Sequence, residues 1–60
     1  MRAQMTLEKF IENYREELDA GIARALKMNK NPRPTDEERR LWILNDEALY
    51  RWARGEGVKI

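Results

Sequence analysis

Carboxylates are the residues of this 60-residue chain best supplied for chemistry. Glu8, Glu12 and Glu16 recur at steps of four, which on a helix stacks them along one face, as carboxylate metal sites require. Glu16 and Glu17 adjoin. Such sites usually draw on His as well, and the chain has neither His nor Cys. The apolar side of the pattern described below carries no carboxylate, so the row reads as a solvated face that binds no metal or cofactor. Ser is also absent, so the common nucleophile–base pairs cannot be built. Thr6 and Thr35 sit where helix caps belong, Tyr14 and Tyr50 fall in apolar sectors, and no glycine-rich phosphate loop is present. No catalytic residue is assigned: the composition points to a binding protein rather than an enzyme.

Cations form the second cluster. Arg24, Lys27, Lys30 and Arg33 stand in a stretch without acids, and Arg39 and Arg40 follow shortly after. Together they are candidate contacts for phosphates or for a protein partner. Against a nucleic-acid role stand Asp36, Glu37 and Glu38, a net charge of only +1, and a linker too long for a helix-turn-helix turn. A basic helix end also complements the helix dipole.

The elements that position these residues are two helices. Thr6 caps the first, with Met5 and Phe10 placed as a hydrophobic staple. Leu7, Ile11, Tyr14, Leu18, Gly21, Ala25 and Met28 then form a heptad-like seam, predicting a helix over residues 7–29. Gly21 lies on that seam, either as a tolerated glycine or because a bulky side chain of the second helix, such as a Trp, packs against it. Pro32 and Pro34 make residues 30–35 a non-helical linker. Thr35 and Glu38 fit a capping box that opens a helix over 36–54. Asp36–Arg40 and Glu47–Arg51 are its favourable four-residue pairs, and Gly55 is placed to end it in a left-handed turn. Val58 and Ile60, in a tail over 55–60, are expected to fold back onto the helices. The fold class is all-α: a single-domain, two-helix antiparallel hairpin.

A hairpin this small is marginal alone, since a short chain buries only ~60% of its surface. Its 42% hydrophobic content with near-neutral charge argues against disorder. No apolar run approaches a membrane span or a signal-peptide core, so a cytoplasmic protein without a membrane partner is expected.

On an unbroken second helix the apolar residues spread over most of the circumference. Leu41, Trp42, Leu44, Asn45, Ala48, Leu49 and Trp52 are therefore the expected oligomer interface, joining two hairpins into a four-helix bundle with two-fold symmetry. The alternative is a monomer in which Met1, Ala3, Met5, Val58 and Ile60 wrap the excess. Asn45 either fixes register by pairing with its symmetry mate or caps a new helix after a break; the periodicity from Leu41 to Trp52 favours the continuous helix.

The run from Glu38 to Arg54 (ERRLWILNDEALYRWAR), with Thr6 to Ile11 (TLEKFI), resembles small phage or prophage proteins. That resemblance implies a viral accessory protein, a class that often blocks a host enzyme or a defence complex by occupying a surface. The expected function is a self-associating, non-catalytic protein-interaction module that binds itself and a second protein. The alternative is a small nucleic-acid-binding dimer using the basic linker region.

Overall fold

A computed structural model describes residues 4–30 and 32–60. Its elements are α1 (Leu7–Asn13), α2 (Arg15–Leu26), α3 (Asp36–Asn45) and α4 (Glu47–Gly55). The fold is all-helical among the described residues, apart from one isolated bridge between Met5 and Val58.

The starts fall where capping chemistry puts them. Thr6 accepts from the Lys9 amide at 3.1 Å. At α3, Thr35 accepts from the Glu38 amide at 3.1 Å while the Glu38 carboxylate accepts from the Thr35 amide at 2.8 Å, completing the capping box.

Each long helix expected from the periodicity is broken in two. The first bends at Tyr14 (φ −121°, ψ 29°) without losing its ladder: the Tyr14 amide donates to Phe10 at 3.0 Å and Leu18 donates to Tyr14 at 2.8 Å. No Pro or Gly stands there. The anchor is the Tyr14 side chain, whose ring meets Phe10 and Trp52 and whose hydroxyl donates to Glu56 at 2.8 Å. The second breaks at Asp46, one extended residue (φ −100°, ψ 122°) whose carboxylate accepts from the Leu49 amide at 3.1 Å. The continuous helix favoured by the periodicity is thus replaced by the break, with Asp46 rather than Asn45 as the cap.

The ends also shift. α2 stops at Leu26, before the expected Asn29, because Lys27 adopts the left-handed conformation (φ 56°). Lys27 then donates to Arg24 at 3.2 Å and Met28 to Ala23 at 2.9 Å, the paired bonds of a Schellman turn. The same turn closes α4, but its left-handed residue is Gly57 (φ 96°); Gly55 is still helical. This sends Val58 back into the core, as expected of the tail, with Met5 donating to Gly57 at 3.2 Å. Met1 and Ala3 lie outside the described residues.

Phe10, Ile11, Leu18, Ile22, Ile43, Leu49, Ala53 and Val58 form the core, and Met5, Trp52 and Ile60 pack against it. An added Cβ at Gly21 would come within 3.2 Å of Leu49 Cδ2, so the side chain closing on that glycine is Leu49, not a Trp.

Candidate functional site

Asp19 falls between Leu18 and Ile22 on α2, and Arg39 one turn before Ile43 on α3, so each stands at the edge of a buried stripe. The structure buries both. Arg39 donates through Nε and Nη2 to the two Asp19 carboxylate oxygens at 2.8 and 2.9 Å, a bidentate pair. Its Nη1 donates to Asp36 at 2.7 Å, and Asp36 also accepts from Arg15 at 3.2 and 2.9 Å. The expectation that no carboxylate faces the core is therefore wrong for Asp19. Arg39, read as a candidate phosphate contact, is internal; Arg40 is exposed but held by Glu8 at 2.6 Å. The Asp19 hydrogen bond raises the Arg39 pKa above its ordinary value, with Asp36 adding to it and burial opposing. The Arg15 hydrogen bond lowers the Asp36 carboxyl below its ordinary value against desolvation, and Arg39 adds to that shift.

This network ties the helices together. Arg15 pairs with Asp36 and Asp19 with Arg39, joining the first halves of α2 and α3. Beside it, Lys30, Pro32 and Arg33 of the linker line a cleft of about 850 Å³ with Arg15, Glu16, Asp19 and Arg39.

The break at Asp46 also redistributes the apolar arc. Leu49 is buried in the chain's own core. Trp52 makes an edge-on contact to Phe10 at 4.9 Å and to Tyr14 at 5.2 Å, closing an intramolecular aromatic trio. Ala48 is exposed on α4, beside Leu49 and Trp52 along a groove shared with Gly21 and Ala25. What stays uncovered is on α3: Leu41 is 55% exposed and Leu44 45%. Trp42 is half-buried, and with Leu41, Asn45 and Glu38 it lines a shallow groove of about 340 Å³. Asn45 donates its side-chain amide to the Leu41 carbonyl at 2.7 Å, so one of its two N–H donors is engaged within α3 itself.

The carboxylate row is divided by the bend at Tyr14. Glu8 is engaged by Arg40 and Glu12 faces Lys9 at 4.0 Å. No group of three or more potential metal-ligating residues occurs among the described residues. No described helix is long and apolar enough to cross a membrane. Arg24, Lys27, Lys30 and Arg33 are all exposed and carry no ion pair among the described residues.

No family model, curated protein or solved structure matches the chain.

Sequence reasoning missed the Asp19–Arg39 pair because charged residues were assigned to the solvated face by type. The available signal was position: Arg39 lies four residues before buried Ile43, on the same helix face.

Proposed function

We propose that the chain is a non-catalytic protein-interaction module that self-associates, two copies packing α3 against α3 about a two-fold axis. One observation carries this reading: Leu41 and Leu44, three residues apart on α3, stay about half exposed while Ile43 of the same helix is fully buried. The molecule spans 39 × 19 × 16 Å, so its short directions are barely two helices across. Among the described residues no further helix covers a second face of α3. Leu41, Leu44, Trp42 and the groove beside Asn45 are then the interface. Leu49 and Trp52 support it from inside the chain. The four-helix bundle drawn from unbroken helices narrows to this α3–α3 seam.

Burying two half-exposed leucines per copy contributes only about 4 kcal/mol in all, the free energy of a roughly millimolar dissociation constant, and Trp42 with the groove beside Asn45 must offset the costs of association. The dimer is therefore weak, forming only as the concentration approaches the millimolar range. The resemblance to small phage proteins supports a second partner, a host or defence protein whose surface the module occupies. Sedimentation equilibrium tests self-association: the apparent mass should rise from 7.2 kDa toward twice that value as concentration increases, and Leu41→Gln should return it to the monomer. A concentration-independent monomer would refute the reading.

A further inference from the structure

The charge of this chain is segregated. From Ala20 to Thr35 there is no acidic residue, and Arg24, Lys27, Lys30 and Arg33 all fall there. With 12 basic and 11 acidic residues in the chain, removing those four cations leaves eight against eleven, a net −3. The structure pairs the two populations differently. Arg15, Arg39, Arg40 and Arg51 are each held by a carboxylate, while the four cations of the acid-free stretch make no ion pair among the described residues.

Apolar side chains are interleaved with these cations. Leu26 is 50% exposed and Met28 43% exposed, at the end of α2 and in the turn beyond it. Lys27 between them holds a left-handed conformation that favours glycine. The stretch thus presents four exposed cations with two half-exposed apolar side chains among them.

We infer that the end of α2 and the linker bind an acidic, amphipathic protein segment, one carrying carboxylates for Arg24, Lys27, Lys30 and Arg33 and apolar side chains for Leu26 and Met28. The inference rests on the reading of the chain as a protein-interaction module, but uses a face other than the α3 stripe. Charge complementarity selects an anionic partner, and the apolar knobs select among anions. A phosphate backbone would draw on the cations and leave Leu26 and Met28 wet. Base stacking would need an aromatic platform, and the stretch has no aromatic residue. Two apolar side chains are too little apolar surface to hold a bilayer. Met adapts its shape to irregular partner surfaces, which suits a protein ligand.

The test is a titration of the full chain with a peptide of interspersed Glu and Leu, and with its counterpart carrying Ser in place of every Leu. The Leu-containing peptide should bind about thirtyfold tighter, the gain expected from covering two half-exposed side chains. Leu26→Gln/Met28→Gln should erase that preference, and Arg24→Gln/Lys30→Gln/Arg33→Gln should abolish binding of both peptides. All five positions are exposed, so circular dichroism should be unchanged. Equal affinity for the two peptides, no binding at low salt, or tighter binding of duplex DNA or phosphatidylserine vesicles would overturn the inference. Loss of self-association in the triple variant would overturn it too, by making a second copy the occupant. Sedimentation of the unmodified chain is a separate readout, so failure of the peptide titration leaves the α3 interface standing.

Discussion

Removing the Asp19 carboxylate should nearly unfold this protein. The Asp19 and Arg39 side chains are 11% and 7% exposed and share two short hydrogen bonds. Asp19→Ala leaves the guanidinium buried with most of its compensation gone, at a cost of about 3–5 kcal/mol. A 60-residue domain at ~0.05–0.15 kcal/mol per residue has only about 3–9 kcal/mol in total. Glu47→Ala supplies the contrast: the Glu47–Arg51 pair is 77% exposed on both sides, and such pairs contribute at most about 0.5 kcal/mol. Asp19→Leu/Arg39→Met removes both charges together and should recover most of the loss, since an apolar replacement of a buried pair is often neutral or stabilising. Asp36 keeps Arg15 as its partner in that variant. Urea unfolding followed by circular dichroism measures all three. Asp19→Ala costing no more than Glu47→Ala would refute the claim that this pair ties α2 to α3.

Lys27→Gly should stabilise the fold by about 1 kcal/mol, because the residue is left-handed and glycine adopts that conformation without penalty; thermal melts should shift up by about 4–8 °C. Gly55→Ala, where an added Cβ meets nothing within 4 Å, should gain up to ~1 kcal/mol of helix propensity. Gly21→Ala should gain less or lose, because Leu49 Cδ2 lies at 3.2 Å and is itself packed in the core. Asp36 titrates below its ordinary value in the folded chain, so its contribution is present above the unfolded value of 3.8 and disappears as pH falls through the folded one. Asp36→Asn should therefore flatten the acid end of a stability–pH profile below about that value, and leave the slope near neutral pH unchanged.

The caps were the most legible part of the fold, because each is decided within four residues. Thr6, Thr35 and Glu38 act where their types and spacing place them. The two breaks were harder to read. Tyr14 bends the first helix through contacts with Trp52 and Glu56, some 40 residues away in sequence, which no local window contains. Asp46 did carry a local signal, since Asp followed by Glu suits a new first turn, but the apolar periodicity runs smoothly across it. Drawing one helix through Asp46 exaggerated the apolar arc: the break turns Leu49 and Trp52 inward and leaves Leu41 and Leu44 outside. Trp52→Ala therefore acts on the fold. With Trp52 packed against Phe10 and Tyr14, the substitution strikes the fold before any interface, at about 3–5 kcal/mol. The basic stretch was visible as composition; its separation from the neutralised arginines emerged only from the ion pairs.

The claim that α3 is where two copies meet is tested most directly by isotope-filtered NMR on an equimolar mixture of labelled and unlabelled chains. Intermolecular cross-peaks should connect the Leu41 and Leu44 methyl groups of one copy with the Trp42 indole of the other. They should vanish in Leu41→Gln while the intramolecular contacts of Phe10 with Trp52 persist. A concentrated sample that tumbles as a monomer and shows no such cross-peaks, or a dimer whose cross-peaks arise only from other helices, would contradict the account.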